Sequence, residues 1–174
     1  FRSAMQPFTT DMLYVAKNVP LTPLVCSYQN DTTVNVNNLR KKLFRFAQRW
    51  VYKNLEKSVI STISKVPMPV NGYSPNTDND ATLNNNILVP VYGGGDDYQA
   101  IELLMQYNES GTTWSDFQSV VTLERDQYNI NPGATYSYYF YNNANYVSVD
   151  PMDMTLYYDR VPDVAQTLEV LNGN

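Results

Sequence analysis

The sequence predicts a mainly β protein: an antiparallel β-sandwich of jelly-roll type that carries one amphipathic, basic α-helix. Roughly eight short segments rich in β-branched and aromatic residues follow one another about every ten residues, with turn residues between them. Tyr occurs 15 times and favours strands and interfaces. Only residues 38–57 have the apolar spacing of a helix.

The length of 174 residues is enough for one domain with a sizeable core. Residues 1–10 contain Pro7 and show no apolar period, so we expect an extended N-terminal arm. Residues 11–171 are then a single sandwich domain that includes the helix, and residues 172–174 are a polar tail.

Two short apolar runs, residues 11–18 and 22–29, are separated by prolines and are interpreted as the first strands. In residues 38–57, Leu39, Leu43, Phe46 and Trp50 recur at spacings of three and four, which predicts an apolar helix face. The opposite face of this helix would carry Lys41, Lys42, Arg45, Arg49, Lys53 and Lys57.

The remaining segments are extended or polar. Residues 58–66 are β-branched and predict extended structure, and residues 71–86 form a long polar loop. A glycine turn at 93–95 lacks the GK[ST] ending of a phosphate-binding loop. Further strands are expected over residues 87–92, 101–107, 119–124, 134–141, 146–150, 152–158 and 166–171, with a hairpin turn at 142–145.

The residue types argue against catalysis. The chain has no histidine, which removes the usual general base and the commonest transition-metal ligand. Cys26 is the single cysteine, so neither an internal disulfide nor a Cys-based zinc site is available. The aspartates at 78, 80, 96 and 97 lack the spacing of an EF-hand. We therefore expect a non-enzymatic protein without a cofactor or metal.

Positive charge is concentrated in one part of the sequence. Eight of the 12 basic residues fall between Arg40 and Lys65 against one acid, Glu56, so this segment carries +7. Since the whole chain carries −5, the remainder carries −12. The helix would therefore contact a polyanion, an anionic membrane surface or the acidic face of a neighbouring copy, and the last explains both halves of the distribution. A solvated helix face remains an alternative.

Tyrosines are concentrated near the C-terminal end, where seven fall between residues 136 and 158. On the expected strand over 134–141 they occupy both faces, which suits a strand covered by the core on one side and by a subunit on the other. Exposed aromatic rings could instead stack on sugars. The residues of this candidate interface or glycan-stacking surface are Trp114, Tyr136, Tyr138, Tyr139 and Tyr141.

Together these features predict a structural, self-assembling protein, a capsid or tail component of a virion. Its partners would be copies of itself or other subunits, with nucleic acid bound without sequence preference as a further partner. No apolar run approaches the ~20 residues that a spanning helix needs, so no integral membrane span is expected. The alternative is an extracellular carbohydrate-binding or adhesin module that uses the tyrosine-rich face.

Overall fold

The computed structural model of this chain describes residues 20–53, 55–69, 83–109 and 111–150. The predicted arm and tail lie outside the described residues, as do the strands expected over residues 11–18, 152–158 and 166–171.

Seven strands form two antiparallel sheets in the described part of the chain. Sheet A has the order β1-β3-β6 and sheet B the order β2-β4-β5-β7. The prediction of a mainly β protein is therefore confirmed. The strands are β1 (Ser27–Gln29), β2 (Leu43–Tyr52), β3 (Asn86–Tyr92), β4 (Tyr98–Asn108), β5 (Gln118–Glu124), β6 (Thr135–Phe140) and β7 (Val147–Ser148).

The main core lies between the two sheets, which gives the protein a sandwich-like architecture. Phe44 and Phe46 of β2 both pack edge-on against Phe140 of β6, with ring centroids 5.2 Å apart in each case. Inward-facing residues alternate along β3, where Ile87 and Val89 are fully buried. This alternation is what a sheet with one face on the core requires.

The predicted helix over residues 38–57 is wrong, because β2 occupies most of that segment. The spacing was misleading because β2 is buried on both faces. Phe44 and Phe46 face sheet A, while Ala47 faces a second, smaller core on the outer side of sheet B with Ile60 and Leu104. A strand covered on both sides loses its simple alternation, and its apolar residues then also match helical spacing.

The predicted hairpin through residues 142–145 is also wrong. β6 belongs to sheet A, whereas β7 pairs with β5 in sheet B. Val149 anchors the chain on sheet B after it has passed from sheet A. Its side chain is buried in the second core, and its N–H donates to the Phe117 carbonyl at 2.8 Å.

The glycine segment at 93–95 connects β3 of sheet A to β4 of sheet B. Gly94 lies against the ring of Trp50, and a Cβ atom at this position would overlap that ring. Trp50 in turn stacks on Tyr98, with ring centroids 5.7 Å apart. Close packing of the connection therefore accounts for this glycine, with no need for a phosphate.

No part of the chain described by the structure forms a helix long and apolar enough to cross a membrane.

Candidate interaction surfaces

The basic residues of the segment from Lys41 to Lys57 do not form one surface. In a strand, successive side chains point to opposite faces, and the ten residues of β2 span roughly 30 Å. Lys42 and Lys53, which flank β2, are therefore at opposite ends of sheet B. Lys41 and Lys53 are exposed. The basic residues between them, Lys42, Arg45 and Arg49, contact other side chains of the protein.

Arg49 is buried on the outer side of sheet B and is paired with an acid. Its side chain is 1% exposed, and its Nε donates to Glu102 Oε2 at 2.6 Å. Lys57 Nζ lies 3.1 Å from the same oxygen, and Ser119 Oγ donates to Glu102 Oε1 at 3.0 Å. Burial alone would raise the pKa of Glu102, but the hydrogen bonds and charges of Arg49 and Lys57 outweigh it, so the pKa lies below its ordinary value.

Arg45 and Trp114 pack together on the outer side of sheet B, where Trp114 belongs to the connection between β4 and β5. The Arg45 guanidinium carbon lies 4.2 Å from the centroid of the Trp114 ring, and its Nε donates to Gln106 Oε1 at 2.8 Å. Gln106 Nε2 donates in turn to the Ser115 carbonyl at 2.7 Å. The Arg45 guanidinium and the Trp114 ring therefore already contact each other within the protein.

Lys42 is also engaged within the chain. Its Nζ lies 2.7 Å from a carboxylate oxygen of Glu109 and 5.1 Å from the centroid of the Tyr107 ring. This exposed pair contributes about 1 kcal/mol or less to folding. It neutralises one of the charges that the sequence assigned to a contact surface.

Two of the predicted stacking tyrosines, Tyr136 and Tyr138, are partly buried and pack against the main core. Tyr136 packs edge-on against Tyr128, with ring centroids 5.6 Å apart. Tyr138 also contacts the main core, and burial, followed by the tyrosines around it, raises its pKa to about 12. Both rings are therefore partly buried against the main core.

Tyr141 ties the end of β6 to the loop that follows β1. Its hydroxyl donates to Asp31 Oδ2 at 2.7 Å, and this hydrogen bond raises the pKa of Tyr141. Hydrogen bonds from Thr33 and then from Tyr141 lower the pKa of Asp31. Tyr139 is the remaining predicted tyrosine, and it points outward with half of its surface exposed.

The structure therefore does not gather the predicted aromatic surface. Trp114 lies outside sheet B, Tyr136 and Tyr138 lie between the sheets, and Tyr139 faces outward from sheet A.

An uncharged surface, which the sequence did not single out, covers the outer face of sheet A. Ser27 of β1, Leu88 of β3 and Tyr139 of β6 are directly opposite one another in register, and Pro90 pairs with Ser137 in the next row. None of the outward-facing positions carries a charge. We call this surface the outer face of sheet A, and it consists of Ser27, Gln29, Leu88, Pro90, Thr135, Ser137 and Tyr139.

Exposed apolar residues also precede β1 in the described chain. Val25, two residues before Ser27, is 73% exposed, and Leu21 is 80% exposed. The solvent face of an antiparallel sheet is ordinarily polar, and interface cores are depleted of charge and enriched in tyrosine. The outer face of sheet A shares with interface cores the lack of charge and the presence of a tyrosine.

A polar cleft of about 590 Å³ lies at the end of sheet B, beside Lys53, Glu124 and Asp126. Arg125 shapes it, donating from Nε to the Ile130 carbonyl at 2.9 Å and from Nη1 to the Gly95 carbonyl at 3.1 Å. Within the described ranges, no three acidic or cysteine side chains are grouped closely enough to hold a metal ion.

Comparisons of the chain with protein-family models, with curated proteins and with solved structures found no match.

Proposed function

We propose that this chain is a structural, self-assembling subunit, a capsid or tail component of a virion, whose copies contact one another through the outer face of sheet A. The two facing antiparallel sheets suit a jelly-roll subunit, the finer form of the fold that we propose. No catalytic role is proposed for any residue.

The lack of charge on the outer face of sheet A carries this proposal. Charged residues make up 17% of the chain, yet the outward positions of β1, β3 and β6 carry only Ser, Gln, Asn, Thr, Pro, Leu and Tyr. Burying these groups in a subunit contact requires no desolvation of ions, and Leu88 with Tyr139 would supply apolar area at its centre.

The position of the basic residues favours this face over the one first expected from the charge pattern. Arg45, Arg49 and Lys57 already contact other side chains on the outer side of sheet B, which argues against a continuous ladder for phosphates or for an acidic neighbour. Contact between copies is then expected to depend little on salt, because no ion pair lies at its centre.

Sedimentation velocity of the full chain over a range of protein and salt concentrations tests the proposal. We expect association that persists at high salt and is weakened at least about tenfold by Tyr139→Glu, which places a charge at the centre of the contact. Gln127→Glu adds the same charge in an exposed turn and should leave association unchanged. A chain that stays monomeric at high concentration at every salt level would overturn the proposal.

Electron microscopy of the assembled material tests the assignment to a virion. Closed shells or tubes with a regular repeat would support a capsid or tail subunit. Small closed oligomers without further growth would contradict that assignment while leaving the contact through sheet A in place.

A further inference from the structure

Residues 58–64 lie along the edge of β2, and we call them the serine strap. Three serines spaced three residues apart each face one residue of β2, and each makes the same two hydrogen bonds with it. The serine N–H donates to the strand carbonyl, and the serine Oγ accepts the strand N–H. The pairs are Ser58 with Trp50, Ser61 with Gln48 and Ser64 with Phe46, with distances of 2.7–2.8 Å for the first bond and 2.9 Å for the second.

The strap is not a strand, because its register with β2 differs from that of a β-ladder. In an antiparallel pair both strands advance two residues per repeat, whereas the strap advances three residues for every two of β2. Each serine supplies a donor and an acceptor from one residue, so its Oγ takes the place of a main-chain carbonyl.

The serine hydroxyl protons are used within the strap itself. Ser58 Oγ donates to the Val59 carbonyl at 2.8 Å, and Ser61 Oγ donates to the Thr62 carbonyl at 3.2 Å. Each of these hydroxyls therefore accepts from β2 and donates to the strap. The Val59 and Thr62 carbonyls are therefore hydrogen-bonded within the strap.

The same arrangement recurs beside β4. Ser115 N–H donates to the Tyr107 carbonyl at 2.9 Å, Tyr107 N–H donates to Ser115 Oγ at 3.1 Å, and Ser115 Oγ donates to the next carbonyl, that of Asp116, at 2.9 Å. Its appearance at a second place indicates that a serine pairs with a strand residue in this way independently of the rest of the strap.

The strap is fixed at both ends and in the middle. Lys57, just before it, is bound to the buried Glu102. Ile60 packs with Ala47 and Leu104 in the second core. At the far end Ser64 is hydrogen-bonded to Cys26, whose pKa is raised to about 12 by burial.

We propose that the serine strap is an edge guard: it prevents a second copy of this chain from pairing with β2 and extending sheet B. A ten-residue strand with free N–H and C=O groups along one edge is a template for strand addition. The strap bonds these groups at Phe46, Gln48 and Trp50 and ends the sheet there. The inference does not depend on contact through sheet A.

Amide hydrogen exchange followed by NMR on the full chain tests whether the strap protects the edge of β2. In S58A/S61A/S64A the amides of Phe46, Gln48 and Trp50 lose their acceptors, and we expect their protection factors to fall at least about tenfold. Thr62→Ala changes an exposed residue of the strap and should leave the three amides unchanged. Unchanged exchange in the triple variant would overturn the proposal.

Sedimentation velocity on the same triple variant tests whether the strap prevents copies of the chain from associating through β2. We expect association beyond that of the parent chain, and we expect it to survive a further Tyr139→Glu change, which separates it from contact through sheet A. If the three amides exchange faster but the triple variant associates no more than the parent, the guard role is wrong. If the triple variant fails to fold, Ser61→Ala should speed exchange at the Gln48 amide alone, and uniform acceleration would contradict the pairing.

Discussion

Gln48 of β2 forms two hydrogen bonds with the main chain of Tyr92 in β3. Its Nε2 donates to the Tyr92 carbonyl at 3.0 Å, and its Oε1 accepts the Tyr92 N–H at 2.9 Å. The side chain is fully buried, and the two residues belong to different sheets. The Gln48 amide therefore links sheet B to sheet A across the core, and Trp50 Nε1 of β2 also donates to the Tyr92 carbonyl, at 3.4 Å.

Replacing Gln48 by leucine is expected to lower the free energy of unfolding by about 2–4 kcal/mol. The volume is nearly conserved, but the Tyr92 N–H loses this acceptor and its carbonyl keeps only the longer hydrogen bond from Trp50 Nε1; each buried hydrogen bond lost costs about 1–3 kcal/mol. Urea denaturation followed by far-UV circular dichroism measures the change. Gln127→Leu, in an exposed turn, is the control and should shift the midpoint little. A loss below about 0.5 kcal/mol for Gln48→Leu would contradict this role.

Glu102→Gln removes the carboxylate that faces Arg49 and Lys57. Removing one member of a buried ion pair typically costs about 3–5 kcal/mol, because the other charge stays buried. Glu109→Gln removes an exposed partner of Lys42 and should cost about 1 kcal/mol or less. Equal effects of the two variants would show that burial of the Arg49 pair is unimportant.

The same carboxylate predicts a dependence of stability on pH. The pKa of Glu102 in the folded protein lies below the ordinary 4.5, so the unfolded chain takes up the proton first as the pH falls. The stabilisation is complete above about 4.5 and is lost as the pH falls through the folded pKa. Unfolding free energies measured between neutral and strongly acidic pH should therefore fall less steeply in Glu102→Gln than in the parent.

Gly94→Ala and Gly95→Ala form a matched pair. A methyl group at Gly94 would overlap the indole of Trp50, whereas at Gly95 it would meet only a side-chain oxygen of Asp97, which can move. We expect Gly94→Ala to cost about 1–3 kcal/mol and to shift the tryptophan emission. Thermal unfolding and fluorescence measure both effects. Gly95→Ala should change neither, and similar behaviour of the two variants would contradict the close approach.

Part of the strand content could be predicted from the sequence, because a strand such as β6 has one exposed face. The expected strand over 134–141 contains β6, where exposed Ser137 and Tyr139 alternate with inward-facing Tyr138 and buried Phe140. In β2 Arg49 is buried instead, and no alternation of charge with apolar residues is left to reveal a strand. A local sequence pattern cannot show that Arg49 will be neutralised by Glu102, which lies 53 residues further along the chain.

The candidate surfaces could not be predicted, for a different reason. Leu88 and Tyr139 share the outer face of sheet A only because β3 pairs with β6, and that pairing joins distant parts of the chain. The expected contact surface assumed that Lys41, Arg45, Arg49 and Lys53 repeat at one turn of a helix. Once the segment is a strand, the same residues are spread along its length, and Arg45 and Arg49 contact different side chains.

The three-to-two register of the serine strap constrains how its length can vary. Removing one residue between Ser58 and Ser61 would put the serines on one side of the deletion out of phase with their β2 partners. Removing three residues together would delete one serine pairing and keep the others aligned. Residues 58–64 should therefore tolerate insertions and deletions of three residues better than those of one or two, because only a change of three keeps the remaining serines opposite alternate residues of β2.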